Sequence, residues 1–74
     1  MTDRDAALAA CDGTLKDHYT KVAGIFIDEF AMAEGSPNAA QLRQDSAGRF
    51  KTILLVYKAA HDAAVAAVGQ AFPG

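Results

Sequence analysis

A chain of 74 residues is long enough for one small domain, so we expect residues 1–74 to form a single unit with a thin core. Hydrophobic residues make up 51% of the composition, which argues against a disordered chain. The formal net charge is −2 and no basic cluster is present, so we predict that the chain does not bind nucleic acid.

Cysteine usage and hydropathy bear on the compartment. Cys11 is the single cysteine, which excludes an internal disulfide framework and is compatible with a reducing cytosol. The first residues are acidic and lack the basic start of a secretory signal. No uninterrupted apolar run approaches the roughly 20 residues of a membrane span. We therefore expect a cytoplasmic protein with no membrane span.

The first predicted element is a long helix over residues 3–34. Thr2 and Asp5 have the spacing of a capping box, which places a helix start near Asp3. Asp12-Gly13-Thr14 contains a second potential cap, so a kink or break at 12–14 is the alternative. Apolar residues then recur every three or four positions along one stripe: Leu8, Cys11, Leu15, Tyr19, Val22, Phe26, Phe30 and Ala33.

A turn near the midpoint separates this helix from a second one over residues 37–70. Gly35 can adopt the left-handed conformation that ends a helix, Ser36 can cap the next one, and Pro37 suits a first helical turn. The second helix has an apolar stripe as well: Ala47, Phe50, Leu54, Tyr57, His61, Ala64 and Val68. The predicted fold is therefore all-α, a long antiparallel helical hairpin.

Two apolar runs exceed what one hairpin can bury. Residues 25–27 and 53–56 extend around their helices farther than a single neighbouring helix reaches, and Leu55 falls among polar residues. At about 25 cal/mol per Å² of apolar surface, covering these side chains is worth several kcal/mol. We therefore predict a homodimeric four-helix bundle, or binding to a larger protein partner. The predicted interface residues are Ile25, Phe26, Phe30, Ile53, Leu54, Leu55 and Tyr57.

The leading functional hypothesis is a small non-enzymatic protein that acts through this association and needs no cofactor. An alternative is a metal- or thiol-dependent site formed by Cys11, His18 and His61. Folding the chain at residues 35–36 places His18 opposite Ile53 and His61 opposite Ala10 or Cys11, which separates the two histidines by roughly 12 Å. One hairpin cannot then join both histidines at a metal, and we predict neither a catalytic residue nor a metal ligand.

The second half of the chain also carries a family resemblance. Ser36-Pro37-Asn38, then Gln44, Arg49 and Phe50, and the ending Gln70-Ala71-Phe72-Pro73 resemble the second half of type III secretion needle subunits. That family consists of short helical hairpins with a proline-containing turn, which polymerise through exposed apolar helix faces. The resemblance implies a further alternative, a needle-like subunit of a filament or secretion apparatus.

Overall fold

The computed structural model describes residues 2–73 and consists of two antiparallel helices packed against each other. Helix α1 spans Asp3–Met32 with 30 residues, and helix α2 spans Ala39–Ala71 with 33 residues. The predicted all-α hairpin is confirmed. The Cα atoms extend over 58 × 18 × 8 Å, so the molecule is a long, flat pair of rods with two broad faces.

The start of α1 follows the predicted capping box. The Thr2 hydroxyl accepts a hydrogen bond from the Asp5 backbone N–H at 3.1 Å, and the Asp5 carboxylate accepts one from the Thr2 backbone N–H at 3.5 Å. The helix then runs without interruption through Gly13 to Met32, so the alternative of a break at 12–14 is wrong for this structure. The apolar stripe keeps its phase through this point, which is why one glycine does not end the helix.

The turn differs from the prediction by two residues on each side. Gly35 has the expected positive φ of 80°, but α1 ends at Met32 rather than at 34, and α2 begins at Ala39 rather than at 37. The Ala39 backbone N–H donates to the Ser36 carbonyl at 3.2 Å, which closes a four-residue turn. Pro37 therefore occupies the second position of that turn, where its fixed φ is favoured, and not the first turn of α2.

The cross-helix contacts are displaced from the predicted register, by two residues at the Asp12–His61 contact and by four at the His18–Tyr57 contact. The His18 ring was expected opposite Ile53 and instead stacks on Tyr57, with centroids 4.5 Å apart. Side chains in a helix lean toward its N-terminus. In an antiparallel pair, two side chains therefore meet when their Cα atoms are not at the same height. Each Cα atom lies farther toward the C-terminus of its own helix than the point of contact. This lean contributes about two residues of the offset.

The hairpin has almost no interior. Among residues 2–73, Ala33 and Ser46 are buried, at 4% and 6% exposure, and no large side chain is fully buried. Aromatic contacts contribute to the seam: the Phe26 and Phe50 rings stack at 4.9 Å between centroids in the half near the turn. The larger apolar side chains that remain exposed are Ile25, Ile27, Phe30, Met32, Leu42, Ile53, Leu55, Val56 and Phe72.

One expectation about hydropathy needs correction. Helix α2 is, by length and composition, apolar enough to cross a membrane, so the prediction of no membrane span is wrong by this criterion. The prediction relied on uninterrupted apolar runs, whereas the mean hydropathy of α2 is high although no such run is long. Alanine accounts for the difference, since it fills much of the second half of α2 without forming a long run of large residues.

Candidate functional site

One broad face of the hairpin contains three depressions that follow one another between the helices, and we call it the groove face. Its lining residues are spaced three or four apart, so they form one stripe on each helix. The α1 stripe comprises Ala10, Thr14, His18, Val22, Ile25, Glu29 and Met32. The α2 stripe comprises Leu42, Ser46, Arg49, Ile53, Tyr57, Ala60 and Ala64.

The half of the groove face near the chain ends forms a hollow of about 410 Å³. Ala10, Thr14, Ala60 and Ala64 form much of its wall together with the larger Leu15, and the His18–Tyr57 ring pair lies at its end toward the turn. Cys11 and His61 also line it. The hollow has no Asp, Glu, Lys or Arg side chain in its lining.

The half near the turn is bulkier. Ile25 and Ile53 flank a depression of about 60 Å³, and Met32 and Leu42 flank one of about 250 Å³ closer to the turn. These four side chains are among the exposed large hydrophobic residues, with Ile25 55% and Met32 81% exposed. We call them the bulky half of the groove face.

A polar crossing lies within the bulky half. The Glu29 carboxylate accepts hydrogen bonds from the Ser46 hydroxyl and from an Arg49 Nη2 N–H, both at 2.6 Å. The same guanidinium nitrogen donates to the Ser46 oxygen at 3.1 Å. These bonds, first that of Ser46 and then that of Arg49, lower the pKa of Glu29. The crossing therefore neutralises this charge and fixes the register of the two helices.

A second polar cluster lies on the opposite side of the seam, in the half with the chain ends. The His61 Nε2 atom is 2.7 Å from the Asp12 carboxylate on α1, and its Nδ1 atom is 3.3 Å from the Asp62 carboxylate. Asp12 and then Asp62 raise the pKa of His61 by hydrogen bonding to its charged form. The Lys58 ammonium donates to Asp62 at 2.5 Å, which lowers the pKa of that carboxyl. His61 thus links the two helices through a charge-sensitive hydrogen bond.

The end of the hairpin at the turn is held by one arginine. The Arg43 guanidinium lies 4.1 Å above the Phe30 ring, donates to the Phe30 carbonyl at 3.1 Å and to the Glu34 carboxylate at 2.8 Å. The last carbonyl groups of a helix have no N–H donor within the helix, and Arg43 supplies a donor to one of them, the carbonyl of Phe30. Sequence reasoning did not single out Arg43, because its partners are 9 and 13 residues away in the chain.

The seven predicted interface residues divide into two groups. Phe26, Leu54 and Tyr57 are half-buried in the seam between α1 and α2. Ile25 and Ile53 are exposed on the groove face, Phe30 is exposed under Arg43, and Leu55 is 61% exposed outside the groove lining. Whether they form an interface stays a prediction. The structure adds Met32 and Leu42 to the exposed apolar surface of the groove face.

Both of these residues carried a sequence signal that was missed. Met32 follows Ile25 by seven positions, two helical turns, and Leu42 precedes Ile53 by eleven positions, three turns. Each therefore extends an apolar stripe toward the turn. They were missed because single apolar residues near a turn do not form a run.

The structure brings Cys11, His18 and His61 to the hollow, but in different roles. The His18 ring stacks on Tyr57, and both His61 nitrogens face carboxylates. Within residues 2–73, no group of three His, Cys, Asp or Glu side chains is placed to hold a metal ion. The geometry thus offers these residues as lining of a groove, and it shows no metal-ligand arrangement among the described side chains.

Comparison of the chain with protein-family models, curated protein sequences and solved structures gives no match.

Proposed function

We propose that this chain is a non-enzymatic helical protein that works by self-association, with two hairpins forming a four-helix bundle. The supporting observation is the missing interior: across residues 2–73 no large side chain is fully buried, while nine large hydrophobic side chains are exposed. Antiparallel hairpins commonly pair in this way, because two flat layers of helices enclose one apolar core.

The energetic argument uses the bulky half of the groove face. Full burial of an Ile, Leu or Met side chain is worth about 1.5–3 kcal/mol, so covering four that are about half exposed contributes roughly 1 kcal/mol each. That gain of about 4 kcal/mol per hairpin is comparable with the lower range of a whole domain's stability. For two hairpins the gain is about 8 kcal/mol, which is of the size needed to offset the roughly 4–15 kcal/mol of freedom lost on association.

Sedimentation equilibrium across a concentration series from about 1 µM to about 1 mM tests the proposal. A closed dimer gives a mass that rises to twice the monomer mass and stays there. A monomer mass at every concentration contradicts self-association and leaves a larger protein as the partner to seek.

A needle-like filament subunit is the second candidate, and one observation favours it. Ile27, Leu55 and Val56 are exposed outside the groove lining, at 65%, 61% and 61%. A face-to-face dimer leaves these side chains uncovered, whereas a head-to-tail polymer has further contacts that can cover them. In the same sedimentation series, a mass that grows without limit supports the filament and contradicts the closed dimer.

A further inference from the structure

We infer that the second copy lies on the groove face in an inverted orientation, so that the bulky half of each hairpin packs on the hollow of the other. This inference rests on the proposed self-association and adds to it the surface, the orientation and the residues that meet. Three features of the groove face support it: its shape, its area and its charge.

The shape of the face is complementary to its own inverted copy. Five of the nine residues that line the hollow of about 410 Å³ in one half are small, whereas Ile25, Met32, Leu42 and Ile53 project from the other half. A two-fold axis across the middle of the hairpin exchanges these halves. Each copy then offers a protrusion where its partner has a depression, which is the requirement for an isologous contact.

The position of the axis specifies which residues meet. The midpoint of α1 lies between Asp17 and His18, beside the His18–Tyr57 ring pair. Positions at equal distances on either side of the midpoint face each other across the axis. At equal backbone height Ile25 of one copy therefore lies opposite Ala10 of the other, and the lean of the side chains brings Ile25 toward Cys11 on the wall of the hollow.

The area of the face matches what a stable dimer needs. Its Cα footprint of 58 × 18 Å corresponds to about 1,000 Å². A standard specific interface buries about 800 Å² on each partner. The two faces must therefore overlap over most of their length to form a standard interface. The inverted arrangement about the midpoint of α1 gives this overlap.

The charges of the face suit a second copy better than a strongly charged partner. In the bulky half, Glu29 is paired with Arg49, and Asp45 accepts a hydrogen bond from the Gln41 amide; the lining of the hollow carries no Asp, Glu, Lys or Arg. In the inverted arrangement these charged side chains of the bulky half face the hollow of the other copy, so like charges are not brought together, which avoids a cost of several kcal/mol.

Cross-linking through the single cysteine tests the orientation. Ile25→Cys under mild oxidation is expected to form a covalent dimer with Cys11 of the second copy, and Cys11→Ser in the same chain abolishes it. Ile27→Cys is the matched control, because Ile27 is exposed on the same helix but does not line the groove face. Cross-linking of Ile25→Cys no faster than that of Ile27→Cys overturns the inverted orientation.

Two pairs of substitutions test the surface by sedimentation, with helicity checked by circular dichroism. Ile25→Asp and Ala60→Phe are expected to raise the dimer dissociation constant at least tenfold, since one charges the bulky half and the other fills the hollow. Ile27→Asp and Ala59→Phe, at exposed neighbouring positions outside the lining, are expected to change it less than twofold. A wild type that dimerises while folded Ile25→Asp and Ala60→Phe keep its dissociation constant overturns this inference alone. A wild type that is monomeric throughout overturns the proposed function.

Discussion

Two glycines inside α1 provide a test of the helix in solution. A Cβ added at Gly13 or Gly24 meets no atom within 4 Å other than its own helix backbone, and neither residue has a positive φ. Alanine is favoured over glycine in a helix interior by about 0.8–1.0 kcal/mol. We therefore expect Gly13→Ala and Gly24→Ala each to raise the free energy of unfolding by about that amount.

The double variant should show nearly the full sum. The two sites are eleven residues apart, roughly 16 Å along the helix, which is beyond the distance at which substitutions usually couple. The expected gain is about 1.5–2 kcal/mol, or roughly 6–15 °C in Tm for a domain of this size. The measurement is urea unfolding followed by helical circular dichroism. Protein concentration is held fixed, since association shifts the apparent stability.

Gly35 supplies the matched control. Space for a Cβ is also open there, but φ is +80°, a conformation that costs an alanine about 1–2 kcal/mol. Gly35→Ala should therefore destabilise the chain while the two helix substitutions stabilise it. A loss of stability in Gly13→Ala would contradict the continuous α1 and would favour the break at 12–14 that the sequence also allows.

Three further measurements follow from the contacts of the hairpin. The Asp12 carboxylate raises the pKa of His61, so the stability that this hydrogen bond contributes is full below about pH 6.5 and falls as the pH rises through the raised pKa. In His61→Gln, the free energy of unfolding should therefore depend less on pH between about pH 5.5 and about pH 8.5. Phe50→Ala removes a half-buried ring stacked on Phe26 and should cost about 2 kcal/mol in urea unfolding, roughly half the value for a fully buried phenylalanine. Thr2→Ala removes the cap of α1 and should cost about 1 kcal/mol, with the loss confined to α1 amides in hydrogen exchange.

The features that could be predicted from the sequence are the ones that local chemistry decides. The capping box of Thr2 and Asp5 involves residues three apart, and the left-handed Gly35 follows from the missing side chain of glycine. The stripe of α1 could be read because its period matches the helix; its members from Leu8 to Phe26 are half-buried as expected.

The features that could not be predicted depend on how the two helices meet. Arg49 has the spacing for an i,i+4 pair with Asp45, yet it bonds Glu29 across the seam. Ala47 was expected in the apolar stripe of α2 but is exposed, and Ser46 is buried instead, because its hydroxyl donates to the Glu29 carboxylate across the seam. Such contacts join positions 17 and 20 residues apart, and their geometry depends on the turn and on the lean of the side chains.

Two observations have the same origin in the composition of α2: the hairpin has almost no buried core, and α2 is apolar enough to cross a membrane. Residues 53–56 face nearly all directions around the helix, so α1 covers only part of them and the remainder is available to protein or to lipid. Apolar surface buried against a second copy is no longer available to a bilayer. We therefore expect neutral phosphatidylcholine vesicles, added near the dimer dissociation constant, to lower the dimer fraction measured by fluorescence transfer between labelled chains. Ile25→Asp changes α1 alone, so it should lose dimerisation while keeping any vesicle binding that α2 provides. A dimer fraction unaffected by excess vesicles would show that lipid and the second copy do not compete for this surface.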